Sequence, residues 1–200
     1  MPEIALRYEF RSFAQNFGRV EEKIQQLSKL ERFRESNEIY ILSAVNNTNN
    51  IKIRYDTLDI KAFVREKKGL QQWSPQLKAG FPLQMAVIRD EVFPSLGVAI
   101  PQFNQSEYTL AQFLEDIIHL HPELVFARVN KRRFGYMINR CTSEIAELLV
   151  NGAAVKTIAV ESEDVEAVLK AIEMLGLQEY ENVNYLLAIK RIVGMEPLAD

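Results

Sequence analysis

The stretch Ile51-Lys52-Ile53-Arg54-Tyr55 sets β-branched and aromatic residues on one parity and two cations on the other. Side chains alternate across a strand, so Lys52 and Arg54 share one face and Ile51, Ile53 and Tyr55 the opposite, apolar one. A half-buried strand usually carries mixed polar residues on its second face; here that face is cationic. The pattern recurs in Arg7-x-Glu9-x-Arg11, in Lys61 within residues 58–64, and in Lys131-x-Arg133, while Val160-Glu161-Ser162-Glu163 closes the last such segment. A concave face lined this way suits a multiply charged anion.

The neighbours of this stretch read as strands too. Residues 38–45 and 58–64 are rich in β-formers. Asn46-Asn47-Thr48-Asn49-Asn50 is a hairpin turn by composition, and Asp56-Thr57 a second tight turn. Short turns require antiparallel neighbours, because parallel strands need long crossovers. Further out, residues 4–13 make a first strand, followed by a helix with Val20, Ile24, Leu27 and Leu30 at helical spacing. Residues 76–81 suggest an edge strand, and residues 83–93 a helix that stops before Pro94. Residues 109–120 form a helix that Pro122 stops. Strands resume at 124–133, 134–142, 144–149 and 156–161, with Asn151-Gly152 as a hairpin signal between the last two. Helices at 164–175, stopped by Gly176, and 184–193 complete the chain. The expected architecture is α+β: an antiparallel β-barrel of about eight strands, a tunnel with peripheral helices, in one domain spanning residues 1–200.

The 200 residues are 48% apolar and 26% charged, with a net charge of −3. Positive strands in a mildly acidic chain are local features, which argues against a nucleic-acid coat. The single cysteine, Cys141, excludes an internal disulfide and fits a reducing compartment. No apolar run approaches the ~20 residues that cross a bilayer. The cytoplasm is the expected location and no membrane partner is expected. No Gly-rich phosphate loop, Ser-centred elbow or Rossmann fingerprint is present.

In order and spacing these motifs resemble the CYTH superfamily, the triphosphate tunnel metalloenzymes, which include class IV adenylate cyclases, thiamine triphosphatases and RNA triphosphatases. The resemblance extends from about Ile4 to Val193, and Asn184-Tyr185-Leu186-Leu187 looks like the segment that closes such domains. It implies a tunnel whose cations hold phosphates and whose carboxylates hold Mg²⁺ or Mn²⁺. Carried over by position, Arg11, Lys52, Arg54, Lys61, Lys131 and Arg133 would bind phosphate, and Glu9, Glu147 and Glu161 would hold metal. Two positions depart from the pattern: Arg7 and Ala159 stand where the family has Glu.

The implied function is a metal-dependent phosphohydrolase acting on an organic or inorganic triphosphate, with adenylate cyclase chemistry ranking below it. The alternative is a binding module that holds a nucleotide or polyphosphate without turnover, and the two departures favour it. Single charge pairs on strands are ordinarily solvated outer faces. Glu144 and Glu147 have opposite strand parity, so at most one faces inward without a bulge. His119 and His121 read as helix-end capping groups, Cys141 as a buried structural thiol, and Trp73, Phe81 and Phe93 as core or lid.

Overall fold

The computed structural model describes residues 6–195. The beginning of the strand expected at 4–13 falls outside them. The strands are β1 (Tyr8–Ala14), β2 (Arg32–Ser43), β3 (Asn49–Arg54), β4 (Thr57–Lys67), β5 (Leu70–Gly80), β6 (Leu83–Gln84), β7 (Glu107–Tyr108), β8 (Leu124–Ile138), β9 (Cys141–Val150) and β10 (Ala153–Ser162). Eight of them form a closed antiparallel barrel in the order β1-β10-β9-β8-β2-β3-β4-β5, and β6 and β7 make a separate ribbon. β1 completes the ring: it pairs with β10 along its length and with β5 at Tyr8↔Gln72 and Glu9↔Gln71.

Turn chemistry explains much of this order. Four two-residue links place both residues at positive φ: Tyr55-Asp56 (50° and 52°), Lys68-Gly69 (52° and 75°), Asn139-Arg140 (48° and 62°) and Asn151-Gly152 (48° and 90°). Such turns match the twist of the strands they join. The second turn thus sits one residue earlier than expected, and Thr57 opens β4. Asn46 organises the β2–β3 turn, its Oδ1 accepting from Asn49 N at 2.9 Å and its Nδ2 donating to Asn49 O at 2.7 Å.

Among the described residues, five helices accompany the strands. α1 is Arg19–Leu27. The segments Met85–Val87, Ile88–Val92 and Phe93–Leu96 run on as α2, whose middle is a π-turn. The helix therefore passes Pro94 instead of stopping before it; the widened turn precedes the ring that cannot donate. Leu110–Gln112 and Phe113–Ile118 make α3, opened by a Thr109–Gln112 capping box. α4 is Val165–Leu175, with Asp164 Oδ1 accepting from Glu166 N and Ala167 N, and α5 is Tyr185–Ile192.

The chain divides into two compact units. The first comprises residues 6–36, Phe63–Ser74 and Asn130–Asn184. In it, Phe10, Ile145, Ile158 and Val160 form a core with Val20 and Ile24 of α1 and Val168 and Ala171 of α4. Leu27 and Leu30, expected to join that stripe, are exposed. The second comprises Asn37–Ala62, Pro75–Val129 and residues 185–195. Its core joins Ile41, Ile51, Ile53, Leu58 and Ile60 to Ile88, Val92 and Phe93 of α2 and Phe113 and Ile117 of α3. In each unit, helices cover one parity of the strands. The opposite parity is the barrel's inner face.

Three strands differ from expectation. β2 begins at Arg32, six residues early; residues 124–142 hold one strand of 15 residues up to Ile138, not two; and β5 is a full barrel strand containing Pro75.

Candidate functional site

In the first unit the site grows from β1, β10 and β9. Register sets Glu9 opposite Glu161, and Glu161 opposite Thr142; Arg11 faces Ala159, which faces Glu144. Directly opposed residues share a face, so Arg7, Glu9, Arg11, Glu144 and Glu161 lie on one surface. The arginines engage the carboxylates. Arg11 Nε donates to Glu9 Oε1 at 2.9 Å, and its Nη1 lies 3.7 Å from Glu144 Oε1. Arg7 Nη1 donates to Glu161 Oε1 at 3.1 Å. The backbone of Arg11 is fixed from its other side, its N donating to Asn182 Oδ1 at 2.8 Å and its O accepting from Val183 N at 2.7 Å. The guanidinium is therefore held by a buried strand, not by a mobile loop.

β8 and the start of β2 continue this face. Arg132 Nη1 donates to Glu147 Oε2 at 2.9 Å, its Nε lies 3.3 Å from Glu35 Oε1, and its guanidinium sits over Phe33 and Phe134. Those groups share the outer side, so Lys131 and Arg133 point inward. Lys131 is buried. Arg133 Nη2 donates to Ser36 Oγ at 3.3 Å, and its Nε is buried without a hydrogen-bond partner.

The same parity places the sequence-predicted ligand Glu147 away from Glu9 and Glu161. It pairs with Lys156 in register and bonds Arg132, while Lys156 bonds Glu21 of α1 at 2.7 Å. Glu144 is the β9 carboxylate on the inner face. Of the two residues that strand alternation separates, the neighbouring Arg11 selects Glu144.

In the second unit the anchor is Glu38, a residue whose sequence position marks only the start of an expected strand. Its side chain is fully buried. Oε2 accepts from Tyr40 Oη at 3.0 Å and from Lys52 Nζ at 3.3 Å, and Oε1 lies 3.7 Å from Arg54. Tyr185 of α5 stacks on Tyr40 with centroids 5.8 Å apart. Register sets Glu38 opposite Arg54, Tyr40 opposite Lys52, Lys52 opposite Asp59 and Asn50 opposite Lys61. Lys52, Arg54 and Lys61 therefore share a face. Burial lowers the pKa of Lys52; Glu38 opposes that shift, and Arg54 and Lys61 add to it. Only a carboxylate below a cationic strand could have signalled Glu38 in the sequence.

Burial raises the pKa of Glu161, with the Glu9 charge adding and Arg11 and Arg7 opposing. The carboxylates suit a divalent ion in type, since hard cations take oxygen ligands. Their arrangement does not: both Glu9 oxygens receive Arg11, Glu161 receives Arg7, and among the described residues no three His, Cys, Asp or Glu side chains gather as a metal group. His121 is tied to Ala99 O at 2.9 Å and to Glu123 N at 3.2 Å, and Cys141 is buried with its pKa raised by burial.

The closed eight-stranded antiparallel barrel has counterparts among solved structures. Solved structures that share it include the candidate adenylyl cyclase HpAC1 from Hippeastrum, described as having a dominant triphosphatase activity, at 12% identity and a TM-score of 0.53 over 96% of this chain and 98% of that one. A candidate adenylate cyclase from Bacillus halodurans is 11% identical with a TM-score of 0.52, covering 90% and 95% of the two chains. A conserved hypothetical protein from Pyrococcus furiosus is 17% identical with a TM-score of 0.52, covering 90% and 98%. At these identities the likeness is one of fold. No protein-family model and no curated protein sequence matches the chain. Among the described residues no helix is long and apolar enough to cross a membrane.

Proposed function

We propose that the inner face of the barrel binds a small molecule bearing a triphosphate or polyphosphate, and that it does so without a resident divalent metal. The observation that carries this reading is the occupancy of the acidic positions: Arg11 on Glu9 and Arg7 on Glu161, at 2.9 and 3.1 Å. A guanidinium is a permanent cation with donors matched to both carboxylate and phosphate geometry. On arrival of a polyphosphate, Arg11, Lys131 and Arg133 of the first unit supply charge-assisted hydrogen bonds to its oxygens; Lys52, Arg54 and Lys61 present the same chemistry on their own face of the second unit. Glu9, Glu144 and Glu38 keep these cations oriented when no ligand is bound.

A second reading, metal-dependent hydrolysis of the same ligand, is favoured by one observation: Glu9 and Glu161 lie directly opposite each other on paired strands. One experiment separates the two. Calorimetric titration of tripolyphosphate and ATP in EDTA is expected to show binding that weakens with salt, and phosphate release assayed with Mn²⁺ is expected to stay at background. Binding that appears only with Mn²⁺, accompanied by turnover, would replace the first reading with the second.

A further inference from the structure

The inner face continues past the cations that the family pattern assigns. Gly135 follows Lys131 and Arg133 at the same parity, and a Cβ built on it would meet Arg32: the carbonyl oxygen at 3.5 Å, Cβ at 3.6 Å and Nε at 4.0 Å. The Arg32 side chain therefore lies over the inner side of β8. Arg34 and Ser36 follow at the same parity on β2, and the Arg133 bond to Ser36 fixes that assignment independently. The outer set of Phe33, Glu35 and Arg132 fixes it a third time from the opposite side. Arg32 and Arg34 are exposed, and among the described residues neither forms an ion pair. They differ in this from Arg7, Arg11, Lys52 and Arg54, each of which has a carboxylate.

We propose that Arg32 and Arg34, together with the buried and unpartnered Nε of Arg133, form a second anion subsite that takes the continuing phosphates of a linear polyphosphate longer than three units. The proposal rests on the polyphosphate reading above and extends it. From Arg32 to Ser36 the strand advances about 14 Å, so the row follows an extended ligand along β2. Gly135 leaves the space beside Arg32 that any larger side chain would fill. A single-stranded nucleic acid is the less suitable occupant, because such strands need aromatic platforms for their bases, and here Phe33 and Phe134 stand on the outer side beneath Arg132.

The test is calorimetry on the intact chain with tripolyphosphate, a long-chain polyphosphate and a charge-matched oligonucleotide, on the parent, Arg32→Ala/Arg34→Ala and Arg32→Lys/Arg34→Lys. Both substituted residues are exposed, and a matched thermal melt establishes that the variants fold. The parent is expected to bind the long chain at least tenfold more tightly than tripolyphosphate. The alanine variant should lose most of that preference while its tripolyphosphate affinity changes less than threefold. Its salt slope for the long chain should fall by about one unit for each phosphate left without its arginine, and the lysine variant should recover part of the preference. Tripolyphosphate binding with no chain-length preference, or an equal loss for both ligands in the alanine variant, overturns the subsite and leaves the reading of the triphosphate site standing. An oligonucleotide that binds as tightly as the long chain also overturns it. Absence of binding to either phosphate overturns both.

Discussion

Glu38 shows how one carboxylate organises a cationic strand. It is fully buried and touches Lys52, Arg54 and the Tyr40 hydroxyl. Removing one member of such a cluster leaves the others desolvated without a counter-charge, which costs more than the intact cluster contributes. Glu38→Ala should therefore destabilise the protein by about 3 kcal/mol, at the lower end for buried pairs because Lys52 and Arg54 retain some solvent. Urea denaturation measures this. Glu161 behaves in the opposite sense. Its folded pKa is raised by burial, so protonation favours the folded state; that stability is present at low pH and is lost as pH rises through the raised value. Glu161→Gln should then melt higher than the parent at neutral pH, with the gap closing towards about pH 4, where carboxyl groups protonate. Arg7 is half exposed and loses little when released from it. A neutral-pH melting temperature at or below the parent's would show that the Arg7 contact outweighs the cost of burial.

At the scale of elements, the turns carry tests of their own. Arg140 holds φ 62° in the β8–β9 turn, a conformation that costs a residue with a Cβ roughly 1 kcal/mol. Arg140→Gly should stabilise the hairpin by up to about that amount, offset in part by the flexibility of glycine in the unfolded chain. Asp164→Ala, which removes two accepted hydrogen bonds from the first turn of α4, should cost about 1 kcal/mol. Both are read by thermal melts. The hairpins at Asn46–Asn50 and Asn151-Gly152 and the starts of the helices near residues 109 and 164 were legible, because local chemistry decides them. The strands were less so. Residues 32–37 are Arg-Phe-Arg-Glu-Ser-Asn, too polar to look like a strand, yet they continue β2 because both of their faces carry partners. β8 looked divided where the cations meet Phe134. β5 looked shortened because Pro75 lies within it. Nine expected strands become the eight of the barrel because the two expected at 124–133 and 134–142 are the single β8 as far as Ile138.

For the whole molecule, eight strands pair into a closed ring, and within each unit a repeated parity decides which charged residues share a face. The parity of Lys52 and Arg54 and of Lys131 and Arg133 could be read directly from the sequence. Which β9 carboxylate faces inward could not, because Glu144 and Glu147 are separated only by register, and register is set by the Asn139-Arg140 and Asn151-Gly152 turns together. Arg7 and Ala159 were visible as departures. Their consequence, arginines seated on the acidic positions, needed the distances. Arginine side-chain Nε–Hε resonances followed by NMR during a tripolyphosphate titration in EDTA test whether the inner-face arginines take up polyphosphate without metal. The inner-face Arg11 and Arg133 signals should shift with added ligand, while Arg89, exposed and paired with Asp90, should not move. Arg11 and Arg133 signals that stay fixed in EDTA, or that move only when Mn²⁺ is supplied, would contradict a metal-free polyphosphate site.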